Sequence, residues 1–238
     1  PLFRQVILQT SIAVSTAESR PILTGIHMVI ANNQLKAVAT DSHRLSQRII
    51  PLEMPETSNA LTFEITLPGK TLIELSRIID GLETIDFAIT ENQVLFQTET
   101  LSFYSRLLEG RYPDTDRLIN DQFNTAITVV ASDLVAAVDR ASLMSHTDKN
   151  NIATLSINEN RILLTGNSPE IGKVEEEITV ENYEGASLDV SFNPDYLKDA
   201  LRLFGSSEAT IQFLEANRPF TLTLKDNHSD IPYSFIQL

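Results

Sequence analysis

One pattern occurs twice in this chain, and it restricts the fold more than any other feature. Residues 63–79, FEITLPGKTLIELSRII, align with residues 188–204, LDVSFNPDYLKDALRLF, at an offset of 125. In each copy a strand-like run meets a Pro-bearing break and then a helix-like run. Leu67 falls on Phe192, Leu72 on Leu197 and Arg77 on Arg202. Around the pattern, the order helix, four strands, helix, three strands is read twice, with one leading strand more in the second copy. Self-similarity at a domain-sized period indicates two copies of one α+β domain. We divide the chain into 1–120 and 121–238. Such a plan is unlike a doubly wound α/β enzyme, whose strands alternate singly with helices.

Apolar periodicity places the elements. Residues 3–16 read as a helix through Val6, Ile7, Ile12 and Ala13. Strands at 26–30 and 35–39 are split by Asn32-Asn33, a turn signal. Strands at 46–52 and 63–67 flank a Pro-bearing loop, 51–59. A helix then runs to Ile79, with Gly81 as its stop, and strands follow at 84–89, 93–98 and 101–108. Residues 118–124 read as a linker. In the second half a strand at 125–130 leads to a helix capped by Ser132-Asp133 and ending at 145. Strands follow at 152–157, 161–165, 174–180 and 187–192, then a helix from Asn193-Pro194-Asp195 to 204. Strands at 209–213, 220–224 and 232–238 close the chain. Antiparallel sheets of this kind carry helices on one face.

Charge and composition narrow the chemistry. The 238 residues carry 18 Lys+Arg against 32 Asp+Glu, a net −14. Taken as a sum, that opposes non-specific nucleic-acid binding, which relies on cations neutralising phosphates. The excess is uneven: residues 1–120 hold 10 cations against 14 anions, and 121–238 hold 8 against 18. Basic residues confined to one surface remain compatible with an acidic whole. There is no Cys, which excludes disulfides, thiolate metal sites and Cys nucleophiles, and fits a reducing cytosol. No apolar run is long enough for a membrane span.

Several tempting motifs fail on spacing. Gly69-Lys70-Thr71 follows a strand and opens a helix, as a phosphate loop would. The Gly required five residues earlier is Glu64, so an ATP site is not expected. Asp41-Ser42-His43 holds triad residue types, but neighbours in one turn cannot line up as nucleophile, base and orienter. The four His (27, 43, 146, 228) are scattered, and no metal or other cofactor is expected. Glu175, Glu176 and Glu177 alternate around one strand and cannot converge on a cation. Lys70 and Arg77 share one helix face, and Lys198 and Arg202 share the equivalent face in the second copy. Two readings stay open: solvated flanks partnered by Glu74 or Asp199, or a surface facing a polyanion, where contacts would be to phosphates.

Thr40-Asp41-Ser42 ends the second strand in residues that bond their own backbone. In sequence, ATDSHRL (39–45) closely resembles the motif of the bacterial sliding clamp, the beta subunit of DNA polymerase III. SRPILTG (19–25), LPGKTLIEL (67–75), LLEGRYPD (107–114) and SFNPDYL (191–197) extend the likeness over essentially the whole chain. The resemblance implies duplicated sliding-clamp domains, the family's middle and last, with antiparallel sheets outside and two helices per domain lining one face. Family members carry three such domains, so the first domain, one leading strand and a short tail after Leu238 are expected to be missing here. It implies a non-catalytic, cytoplasmic processivity factor that encircles duplex DNA as a head-to-tail homodimer. A two-domain chain could not close that ring and is expected to be monomeric or weakly associated.

The resemblance also implies site residues. A pocket for linear peptides of polymerases, the clamp loader and repair proteins would be walled by Leu23, Thr40, His43, Leu45, Pro113, Arg117 and Leu118. Asn193, Tyr196, Pro219, Thr221 and Leu238 would complete it. On the residues alone, Leu23, Leu45 and Leu118 read equally as core. DNA-facing cations would be Lys70, Arg77, Arg140, Lys198 and Arg202. Leu143, Met144 and Glu175–Glu177 would lie at the subunit interface. The alternatives are a non-catalytic interaction module of duplicated α+β domains that does not meet DNA, and, remotely, a hydrolase using Asp41 or His43.

Overall fold

The computed structural model describes residues 1–53, 62–119, 122–145, 151–226 and 229–237. The chain forms two compact units, one of Pro1–Asp114 with Lys225–Tyr233, the other of Thr115–Leu224 with Ser234–Leu238. The first division falls six residues before the 120/121 boundary read from the sequence, and residues 225–233 group with the first unit.

In the first unit, α1 (Leu2–Ser11) precedes β1 (Gly25–Ala31), β2 (Gln34–Thr40), β3 (Arg44–Pro51) and β4 (Phe63–Pro68). These four strands are antiparallel neighbours in the order β3-β2-β1-β4. Asn32 and Asn33 both take positive φ, 51° and 57°, the mirror-image turn that suits a tight hairpin. Helix α2 (Gly69–Ile78) follows, then β5 (Asp86–Ile89), β6 (Gln93–Gln97) and β7 (Ser102–Arg106) as a second antiparallel sheet. Val6 and Ile7 of α1 and Leu72 and Leu75 of α2 are buried in one core with Ile26, Met28, Leu35 and Leu67 of the strands. Each such side chain contributes about 1.5–3 kcal/mol by leaving water.

The second unit repeats the plan. After β8 (Thr125–Val130) come α3 (Ala131–Ser145), β9 (Ala153–Asn158), β10 (Arg161–Ser168), β11 (Gly172–Glu177), β12 (Asn182–Gly185) and β13 (Leu188–Phe192). Strands β9, β10, β11 and β13 pair in the order β11-β10-β9-β13, the same order as β3-β2-β1-β4. Helix α4 (Pro194–Arg202) and strands β14 (Glu208–Phe213), β15 (Phe220–Asp226) and β16 (Ser229–Gln237) complete the copy. The second row here runs β12-β8-β14-β15-β16. Leu134, Val138 and Ala141 of α3 and Leu197, Ala200 and Leu201 of α4 are buried.

Some expectations need correction. Helix α1 stops at Ser11 rather than Thr16. The Thr10 hydroxyl bonds back to the Val6 carbonyl, and the Ser15 amide donates to Leu23 instead of continuing the helix. Helix α3 starts at Ala131, so Ser132 and Asp133 lie in its first turn, not at its cap. The strand expected at 174–180 is instead β11, which begins at Gly172 and ends at Glu177. β12 was not expected at all: its four residues are mostly exposed and carry no alternation. The loop expected at 51–59 lies largely outside the described residues.

Candidate functional site

The turn between β2 and β3 is built from its own side chains. Asp41 Oδ1 accepts from the amides of His43 (2.9 Å) and Arg44 (3.0 Å), and Oδ2 from Arg44 Nε (3.1 Å). The Thr40 hydroxyl donates to the Arg44 carbonyl (2.7 Å) and accepts from the Ser42 amide (3.2 Å). Ser42 sits at φ 78°, held there by these bonds. Asp41 is therefore committed to the turn, while His43 is exposed.

Behind this turn lies Tyr112, which the sequence reading did not single out. Its hydroxyl oxygen accepts from the buried Thr40 amide at 3.0 Å. Its ring stacks on His27, centroids 4.6 Å apart and planes 4° from parallel. His27 Nδ1 in turn lies 3.0 Å from the Thr66 hydroxyl. Burial pushes the Tyr112 hydroxyl well above its ordinary pKa; the Thr40 hydrogen bond opposes this and the Asp41 charge adds to it. A chain of contacts thus runs from the sheet interior to the edge of the turn.

The residues assigned to a peptide pocket divide by exposure. In the first unit Leu23, Leu45 and Thr40 are buried, and His43 and Pro113 are exposed. In the second, Arg117, Leu118 and Pro219 are exposed and Asn193, Tyr196 and Thr221 half-buried. Asn193 caps α4, its side chain accepting from the Asp195 amide. Leu238 lies outside the described residues.

The assigned cations behave differently in the two units. Lys70 and Arg77 are exposed on α2, and neither side chain makes an ion pair or hydrogen bond among the described residues. Gly69, the apparent phosphate-loop glycine, has a steric role. A Cβ there would stand 3.0 Å from Val14 and 3.1 Å from the Thr24 carbonyl. In the second unit the cations are paired. Arg140 makes a two-pronged bond to Glu176, at 2.7 and 3.0 Å. That bond draws the Glu176 carboxyl below the usual carboxylate range. Lys198 lies 3.1 Å from Asp195 and 3.2 Å from Asp139, and Arg202 lies 3.5 Å from Asp139. The solvated-flank reading offered Asp199 as partner on this face; Lys198 takes Asp195 and Asp139. Glu175 and Glu177 pair with Lys173 and Arg161 on the other face of β11, as strand alternation requires. Leu143 is 65% exposed at the end of α3, with Met144 half-buried beside it. Among the described residues no group of three or more His, Asp or Glu could hold a metal, and no helix is long and apolar enough to cross a membrane.

A domain of two helices on one face of antiparallel sheets, used twice with the same strand order, defines the DNA-clamp class of fold. Residues 1–114 match the family model of the DNA polymerase III beta subunit, central domain, and residues 116–233 that of its C-terminal domain. The chain belongs to the DNA polymerase III beta subunit family, of which it carries these two domains. It is 45% identical to the beta sliding clamp of Streptococcus pneumoniae over all of this chain and 61% of that one. Against its Bacillus subtilis counterpart it is 44% identical over 93% of this chain and 58% of that one. The crystal structure of the S. pneumoniae beta chain superposes with a TM-score of 0.91, covering 99% of this chain and 62% of that one at 43% identity. The B. subtilis sliding clamp also gives 0.91, with 100% and 61% covered at 41% identity. The chain thus spans about three fifths of the length of these relatives.

Proposed function

We propose that this chain is the two-domain part of a DNA polymerase processivity factor: a sliding clamp that encircles duplex DNA as a homodimer of the full-length protein. It acts in the cytoplasm and performs no chemistry; it tethers a polymerase topologically. The observation that carries this reading is the doubled domain, together with 45% identity to a beta sliding clamp over the whole chain. Lys70, Arg77, Arg140, Lys198 and Arg202 face the phosphates. Linear peptides of polymerase and clamp-loader subunits engage the turn at His43, with Leu23, Thr40, Leu45 and Pro113, and the second unit's Arg117, Leu118, Asn193, Tyr196, Pro219, Thr221 and Leu238. Leu143, Met144 and Glu175–Glu177 form the subunit interface.

Primer extension by a clamp-dependent polymerase with the full-length protein tests the DNA-facing assignment. Lys70→Glu with Arg77→Glu shortens the products; unchanged product length refutes it. The peptide assignment is tested through exposed positions, because truncating buried Leu45 would also damage the core. His43→Ala with Leu118→Ala weakens binding of a clamp-binding peptide, and unchanged affinity removes that assignment. Leu143→Glu shifts the full-length protein toward monomer in light scattering; an intact dimer removes the interface.

One observation favours the runner-up, an interaction module that does not meet DNA: the cations of α3 and α4 are already neutralised by carboxylates. Lys70 and Arg77, exposed and unpaired among the described residues, weigh the other way. Duplex binding by the full-length protein at low salt separates the two, since the runner-up predicts none.

A further inference from the structure

The cations on α3 and α4 stand against an equal number of carboxylates: Arg140, Lys198 and Arg202 face Glu176, Asp195 and Asp139. Asp139 holds the central place. Its Oδ1 lies 3.2 Å from Lys198 Nζ and 3.5 Å from Arg202 Nη2, so one carboxylate serves both α4 cations from the neighbouring helix. Lys198 is held from two sides and only 12% of its side chain is exposed, whereas Arg202 is 55% exposed. Burial alone would lower the Lys198 pKa, but the bonds to Asp195 and Asp139 outweigh it and leave it raised. Asp195 is itself fixed, since Asn151 Nδ2 donates to its other oxygen at 2.7 Å. Among the described residues Asp139 has no such brace on its second oxygen, and its side chain is 45% exposed. It is the carboxylate of the group that a passing anion most directly competes with.

We propose that Asp139 is an internal competitor for phosphate, setting how firmly Lys198 and Arg202 grip a duplex. The inference rests on the DNA-facing reading above. A mobile tether needs phosphate contacts that form and break readily. A carboxylate already bound to both cations supplies the alternative partner at every step, because each contact with DNA must displace an existing ion pair. Counterion release then registers fewer full contacts than the number of cations suggests, since each phosphate contact contributes a salt slope of about −0.9. Releasing Lys198 and Arg202 from Asp139 adds up to two such contacts. Ion pairs to a carboxylate as exposed as Asp139 are individually weak, so the gain in affinity is about three- to tenfold.

The experiment measures anisotropy of a fluorescent duplex with the full-length protein across a salt series. Five proteins are compared: parent, Asp139→Asn, Asp139→Ala as a second removal of the charge, Lys198→Ala with Arg202→Ala, and Asp139→Asn combined with both of those alanine changes. Circular dichroism checks folding, and the exposed position of Asp139 makes the neutral variants tolerable. The expected result is tighter binding and a steeper salt slope for both Asp139 variants, weaker binding for the double variant, and loss of the gain in the triple. If the double variant weakens binding but Asp139→Asn and Asp139→Ala do not tighten it, the competitor role is overturned and the DNA-facing reading stands. If the gain survives in the triple variant, Asp139 acts through overall charge and the inference is likewise overturned. If the double variant leaves binding unchanged, the assignment of α4 to DNA itself fails, and the inference with it.

Discussion

Replacing Tyr112 by Phe removes one oxygen and leaves the ring. The stack on His27 depends on the ring and survives. What disappears is the acceptor 3.0 Å from the Thr40 amide. Thr40 is 5% exposed and Tyr112 also 5%, so water is not at hand to replace it. A buried donor left without its partner costs about 1–3 kcal/mol. Tyr112→Ala also deletes the ring, and losses of large aromatic residues run to about 3–5 kcal/mol. The chain has two units, so a global unfolding midpoint would blend them. Hydrogen exchange of the Thr40 amide in the full-length protein is the sharper assay. Its protection should fall about 5- to 150-fold in Tyr112→Phe. The Asp41-bonded amides of His43 and Arg44 should change less, because their acceptor is intact. Thr40 protection within about twofold of the parent in Tyr112→Phe, with a large fall in Tyr112→Ala, would refute the role of the hydroxyl and leave only the ring.

Other consequences follow from the same contacts. The Tyr112 pKa is raised on folding, so its stabilising effect is complete below the ordinary value of 10.0 and is lost as pH climbs from there toward the folded value. Thermal scans between pH 9 and 11 should show a steeper loss for the parent than for Tyr112→Phe; equal slopes would contradict this. The Glu176 pKa is lowered by Arg140, so that pair contributes above the ordinary 4.5 and fades as pH falls through the depressed value. Glu176→Gln should free Arg140 and tighten duplex binding in the same anisotropy assay, and unchanged binding would separate Arg140 from DNA. A Cβ at residue 166 would run into the Ala141 carbonyl, so Gly166→Ala must push α3 off β10. We expect a loss of about 1–3 kcal/mol, read as a drop in melting temperature of the C-terminal domain's transition; an unchanged transition would mean that α3 shifts freely.

The repeat was legible because both copies use the same local rules. Alternation ends at Leu67 and Phe192, a Pro-bearing break follows, and apolar residues then recur at helical spacing. The structure keeps that register, with α2 starting at Gly69 and α4 at Pro194. The turn at Thr40–Arg44 was legible for a related reason: Thr, Asp and Ser satisfy neighbouring backbone groups, and all three bond locally here or sit at positive φ. What escaped depends on partners far along the chain. β12 exists because Asn182–Gly185 pairs with β8, and nothing in NYEG announces an edge strand. The end of α1 was overrun because Ile12, Ala13 and Val14 continue an apolar rhythm while packing as irregular chain. The Lys198–Asp139 pair was out of reach of the sequence for the same cause. A residue three positions away, such as Asp195, is visible in sequence, but Asp139 reaches Lys198 only because α3 and α4 pack together.

That last point bears on how, on the DNA-facing reading, an acidic chain would meet DNA. Residues 121–238 hold 8 cations against 18 anions, yet three of those cations lie on the neighbouring helices α3 and α4. On that reading, these cations left bare would bind phosphates at many points and grip; with their charges answered by Glu176, Asp195 and Asp139, they would offer exchangeable contacts instead. The first unit is built the other way, with Lys70 and Arg77 exposed and unpaired among the described residues. The two copies of one domain therefore differ less in fold than in how far their cations are already spent. If the DNA-facing reading holds, reversing charges on α2 should cost more binding than reversing the equivalent pair on α4, because the α4 pair must first be released. Equal losses from Lys70→Glu with Arg77→Glu and from Lys198→Glu with Arg202→Glu, measured on one duplex at one salt, would show that internal pairing has no influence on grip.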